Sequence, residues 1–355
     1  MKTNFDRSPR QARSARVHAG ASELAIGVAA SASPAFADHA GLAVSGGTGG
    51  GMDVIGPATL ERDTVALGLR IAYLRPEQRS NEALAELAEA DVHAHNSDYF
   101  LATVLDAAWG VTDRLTVSAQ IPFVRRDGLR EGQHHEQGEH GHGAGEEHGA
   151  VAGLGNVSGI GDASLLAKFR LTGAGATQLS LIAGVKLPTG ATHQHSLSGV
   201  RLETEHQPGT GSWDFLAGAS AGTRIGPLQA DASLLFQFSG KGAQATRLGD
   251  RLQAGVALSH RFGPSEAHRE HTDHGHASWD TFLEFTAEWE GRQRVAGHVE
   301  RESGGTSLWL QPGLRYNSAS GLSLGAALGL PVWQDIRASH PENRVRLILS
   351  VAKTF

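Results

Sequence analysis

The last twelve residues, 344–355, read RVRLILSVAKTF and leave few folds open. Val345, Leu347, Leu349 and Val351 fall on one face, and Arg344, Arg346, Ser350 and Thr354 fall on the other. Only Ile348 intrudes on the polar side. A period of two marks a β-strand with one apolar and one polar surface. The pattern recurs upstream over residues 64–74, 98–110, 115–123, 161–171, 177–187, 212–224, 228–238, 251–262, 279–289, 306–316 and 321–333. Together these predict twelve strands of about the ten residues that a tilted membrane-crossing strand needs.

The connections carry a second regularity. Those after strands two, four, six and ten are tight, and those after one, three, five, nine and eleven are longer. An even strand number with this asymmetry predicts a transmembrane antiparallel β-barrel with short periplasmic turns and longer outer loops. Residues 263–278, after strand eight, are the one long connection where a short one is expected. The loop 75–97 contains NEALAELAEA, which suits a short helix. The loop 125–158 is rich in Gly, Glu and His, so it is expected to be solvated and mobile. A soluble sandwich would have shorter strands and a water-facing side rich in Lys and Glu. Here the polar faces mix Ser, Gly, Gln and charges of both signs, as a barrel interior does.

Composition agrees. Mean hydropathy is -0.24, and no run of about 18 apolar residues exists to form a membrane helix. Barrel strands hide their apolarity in alternation, so this does not count against a membrane protein. Without any Cys, thiolate metal sites and Cys nucleophiles are excluded. A net charge of -6 argues against a nucleic-acid partner. Lys2, Arg7, Arg10, Arg13 and Arg16 precede a short apolar core at residues 24–30, and Ala35-Phe36-Ala37 fits a small-x-small cleavage site. Residues 1–37 are therefore expected to be a signal peptide, 38–63 a glycine-rich periplasmic segment and 64–355 the barrel, in the outer membrane of a Gram-negative bacterium. Whether 38–63 enters the pore as a plug stays open at this point.

The closing strand, with its terminal Phe355, resembles those of Gram-negative outer-membrane barrels, which implies recognition by the barrel assembly machinery. Three further segments carry a more specific resemblance: Gly159-Ile160-Gly161-Asp162, Lys186-Leu187-Pro188-Thr189-Gly190, and the run from Gln207 through Pro208, Gly209, Thr210, Gly211, Ser212 and Trp213 to Asp214. As a set they are similar to the outer-membrane "transporter" family named after the MetA pathway of phenol degradation. The resemblance implies a barrel with a passive transport role and no catalytic residues. Glycines at these strand ends have a plain structural reading as well, since they permit tight turns at the rim.

Two residue sets could carry function. His134, His135, His140, His142 and His148 lie among glutamates in the second outer loop, and His268, His271, His274 and His276 lie in the long connection after strand eight. Imidazole with carboxylate suits borderline divalent ions such as Zn, Cu, Ni or Co. Loose binding of such ions and a solvated loop with incidental histidines both fit that composition; no cofactor is required. The second set points inward by alternation: Arg70, Asp106, Lys168, Arg170, Lys186, Asp214, Arg224, Asp231, Arg251, Glu284, Arg315 and Arg346. These are expected to line a narrow polar pore, or to pair across it and close it. No HExxH motif is present, and the GxSxG strings at residues 218–222 and 321–325 fall within predicted strands and not on a strand-to-helix elbow, so an enzyme is not expected. The expected partners are outer-membrane lipid and a small-molecule or metal-ion solute. Alternatives are a channel for small aromatic or hydrophobic compounds, and a metal-scavenging surface protein anchored by its barrel.

Overall fold

The computed structural model describes residues 50–133, 151–173, 176–262 and 277–355. Twelve strands build the wall: β1 (Val65–Pro76), β2 (Tyr99–Thr112), β3 (Leu115–Gly132), β4 (Ser164–Arg170), β5 (Thr177–Lys186), β6 (Asp214–Ile225), β7 (Leu228–Phe238), β8 (Arg251–Phe262), β9 (Ser278–Glu290), β10 (Gly305–Asn317), β11 (Leu322–Ile336) and β12 (Asn343–Thr354). Each pairs antiparallel with its neighbours in the chain. The ring closes where β12 meets β1, with Leu349 opposite Ile71 and Val351 opposite Leu69. Closure removes the free edges of the twelve wall strands, which lets the sheet stand in lipid with its backbone paired.

Alternation places one residue set outside. Leu105, Leu181, Leu258, Leu283 and Leu349 stand exposed on the outer surface. Trp109, Phe169, Phe262 and Trp279 ring the short-turn end, while Phe215, Phe238 and Trp333 lie toward the long-loop end. An apolar belt between two aromatic girdles is a surface that a bilayer covers. The barrel is therefore a transmembrane one.

Two features depart from the sequence expectation. The segment 125–158, expected to be solvated and mobile, is ordered at both ends. β3 continues to Gly132 and pairs with a further strand, Val151–Ile160, through contacts from Phe123 opposite Ile160 to Gly132 opposite Val151. Gly153, Gly155 and Gly159 hide the alternation that would reveal a strand. In addition, β4 begins at Ser164 instead of residue 161, because Gly161, Asp162 and Ala163 leave the ladder between that outer strand and β4. The expected helix is present at Asn81–Glu89, where Ser80 Oγ accepts from Ala83 N at 3.2 Å as its N-cap. It buries Leu84 and Ala88, and Leu84 lies so close to Gly132 that a Cβ there would sit 2.3 Å from the Leu84 carbonyl oxygen.

Candidate functional site

The inward face of the barrel encloses a piece of its own chain. Residues 50–60, part of the glycine-rich segment whose entry into the pore the sequence leaves open, lie inside the lumen as a re-entrant loop. Leu60 N donates to Thr116 Oγ1 at 2.8 Å beside the β2–β3 turn. From there the loop climbs past Lys168, whose Nζ donates to Gly56 O at 3.0 Å, and reaches its apex at Asp53. It then turns back, so that Gly50 N donates to Asp231 Oδ2 at 2.8 Å and Arg315 donates to Gly51 O at 2.8 Å. Asp231 and Arg315 lie near the short-turn ends of β7 and β10. Both limbs of the loop therefore face the same end of the barrel.

The apex is where the inward charges converge. Asp53, 1% exposed, pairs with Arg70 and lies 3.6 Å from Arg346. Glu284 accepts from the backbone of Asp53 at 3.0 Å and of Val54 at 2.8 Å, and its other oxygen accepts from Gln311 at 2.6 Å. Arg346 also donates to Glu288 at 2.7 Å. Ions buried this deeply are tolerable only when each has a partner, and here the loop supplies part of the set. Apolar packing adds to it: Ile55 sits among Leu166, Ile182, Leu216 and Leu235. Three inward glycines act as sockets. A Cβ on Gly325 would meet Met52 at 2.2 Å, one on Gly255 would meet Val54 at 2.8 Å, and one on Gly222 would meet Pro57 at 2.8 Å.

A second centre joins the three segments that carry the family resemblance. Asp162 accepts from Lys186 Nζ at 2.6 Å, Thr210 Oγ1 at 2.7 Å, Thr210 N at 2.9 Å and Gly190 N at 2.9 Å. Lys186 also lies 3.1 Å from Asp214, which accepts from Ser212 Oγ and from Gln237 Nε2, each at 2.7 Å. Gly190 and Gly209 touch directly; a Cβ on Gly190 would meet the Gly209 Cα at 2.6 Å. This junction sits where β4 breaks, and it pins the loop between β5 and β6 into the barrel mouth.

The inward set is thus divided. Arg70, Asp106, Lys168, Asp231, Arg251, Glu284 and Arg346 are buried within the barrel. Lys186 and Asp214 belong to the Asp162 junction instead of a pore wall. Arg170 and Arg315 are half-buried. Arg224 is exposed, because it stands at the rim just before the β6–β7 turn and not over the lumen. Sequence reasoning missed Asp53, which lies in a stretch without alternation. It also missed Asp162 as the centre of the junction, although Asp162 is in one of the motifs. The nine histidines expected to touch metal, from His134 to His148 and from His268 to His276, lie outside the described residues.

The mouth carries a separate group of histidines and glutamates. His95, on the short strand His95–Asn96 that pairs with Glu131 and Arg130 of β3, packs edge-on against His206 and His340 at 4.4 and 4.5 Å between ring centroids. Glu205 lies between them, and Glu131, Glu203 and Glu300 are nearby charges. Its contact with Glu131 lifts His93 above the usual histidine range, a sign of negative potential at this rim.

No family model matches the sequence, and no curated protein matches it. Among solved structures, the chain is similar to an outer membrane channel from Pseudomonas putida F1, with a TM-score of 0.53 and 16% identity over 84% of this chain and 98% of that one. It also aligns with LpxR from Salmonella typhimurium at a TM-score of 0.41 and 11% identity, over 82% of this chain and 100% of that one. The Ralstonia pickettii toluene transporter TbuX gives 0.33 and 12%, over 84% and 92%. At such identities the shared property is architecture: this chain has the closed antiparallel β-barrel fold that the Pseudomonas putida channel also has.

Proposed function

We propose that the protein is an outer-membrane channel of a Gram-negative bacterium that passes small solutes down their gradient, and that residues 50–60 close it from within. The observation that carries this reading is the loop's attachment. It fills the lower lumen through side-chain contacts and single hydrogen bonds, and belongs to no ladder of the wall. Both limbs point to the short-turn end, so the loop can withdraw without opening the barrel. The His-rich connections extend this reading by gathering divalent ions.

The test is conductance in planar bilayers. The intact chain should open rarely, and an Asp53→Asn, Glu284→Gln variant should open far more often. Silence from both proteins, each shown to be folded by heat-modifiable migration, would leave the barrel as an anchor. A second reading, passage of small aromatic or apolar compounds, is favoured by the cluster of Leu74, Phe100, Val124 and Trp309 inside the wall. It requires that added phenol quench tryptophan emission, and that Trp309→Phe remove the effect.

A further inference from the structure

Three outer segments meet at the mouth around one carboxylate oxygen. Glu205 Oε1 lies 3.7 Å from His95 Nδ1 and 3.8 Å from His206 Nε2. The donor atoms of His95, Glu205 and His340 all lie within 4.8 Å of one another. In a tetrahedral zinc site with bonds of 2.0–2.2 Å, ligand atoms sit about 3.3–3.5 Å apart. The donors therefore need to close by at most about 1.5 Å, which side-chain rotation supplies.

The surroundings match what such sites use to orient their ligands. Ser339 Oγ is 2.8 Å from His340 Nδ1, and Gln293 Nε2 donates to Glu205 Oε2 at 2.7 Å, turning Oε1 toward the imidazoles. The backbone is tied in place as well: His95 N donates to Ser339 O at 3.0 Å. His95 and His206 are buried, so the donors are held by packing and not by a loose loop. Arg126 is an opposing charge; it donates to the His206 carbonyl at 2.6 Å and stacks on Phe100. The glutamates at the rim outnumber it.

We propose that His95, Glu205 and His340 hold one borderline divalent cation of the zinc, copper, nickel or cobalt class at the outer mouth. This site is distinct from the histidines of residues 134–148 and 268–276, and it deepens the metal aspect of the proposed function without depending on conduction. Two imidazole nitrogens and one carboxylate oxygen favour these ions over Ca or Mg, which prefer oxygen cages. A bound ion would link the loops after β1, β5 and β11 across the mouth.

The test is zinc titration of the chelator-stripped full chain in detergent, read by competition with a chromophoric chelator. The intact protein should take up one tight equivalent above a weaker background. A His95→Gln, His340→Gln variant should lose that equivalent, with affinity falling about a hundredfold or more, and Ser339→Ala should weaken it about tenfold. A variant lacking residues 134–149 and 264–276 should keep the tight equivalent and lose the background. The proposal is overturned if the tight equivalent disappears with those loops but survives the double substitution, or if the intact chain shows no discrete tight equivalent. Should the double variant misfold, Glu205→Gln serves in its place, and retention of the tight equivalent there also overturns the site. Because no current is measured, a silent barrel leaves this result intact, and a missing site leaves the channel reading intact.

Discussion

Asp162 illustrates how much rests on single side chains at the mouth. One carboxylate gathers Lys186, Thr210 and Gly190 from two distant stretches of chain, and neither of its oxygens lacks a partner. Removing one member of a buried ion pair strands the other, at a cost of about 3–5 kcal/mol. Asp162→Ala should therefore lower the urea midpoint of the refolded barrel markedly. Lys186 keeps Asp214 as a second partner at 3.1 Å, so Lys186→Met, which strands both carboxylates, should lower the midpoint further than Asp162→Ala. The parity of Lys186 and Asp214 was legible in the sequence, since alternation puts both on the inner face. Their meeting with Asp162 was not, because alternation carries no register between strands and the loop that returns Thr210 to Asp162 has no periodic signal.

At the scale of elements, the wall was readable almost strand by strand, because lipid outside and polar interior inside enforce a strict period of two. The same constraint allows a sharp prediction for the belt. Val256, exposed at mid-strand on β8, replaced by Arg should cost about 2–4 kcal/mol of barrel stability, measured as a shift in refolding equilibrium in lipid. Two elements escaped the reading. The Val151–Ile160 strand rises beyond the belt, so neither of its faces is required to be apolar. The lumen loop makes its contacts through scattered backbone groups and through Met52, Val54, Ile55 and Pro57, in no repeating order. Its trace in the sequence lies elsewhere, in the inward glycines that receive it. Gly255→Leu together with Gly325→Leu should fill two sockets and expel the loop while leaving its hydrogen-bonding partners untouched. The readout is a protease-sensitive site appearing within residues 50–61 of an otherwise protected barrel.

For the molecule as a whole, the interior is occupied in two storeys. The re-entrant loop fills the lower half, and the pinned β5–β6 loop and its histidine neighbours occupy the mouth. The loop and the wall are one covalent chain, joined to β1 through only Glu61, Arg62, Asp63 and Thr64. The loop behaves as a ligand on a very short tether, for which the effective concentration is of millimolar order. A substitution that weakens docking severely would still leave rebinding fast and frequent, so an impaired loop should produce flickering closures instead of a permanently open barrel. A free peptide of the same sequence, supplied at micromolar concentration, should compete poorly with the attached copy and leave the flicker unchanged. Closure of this kind is set by chain connectivity as much as by affinity, and mean open time is the quantity that reports it.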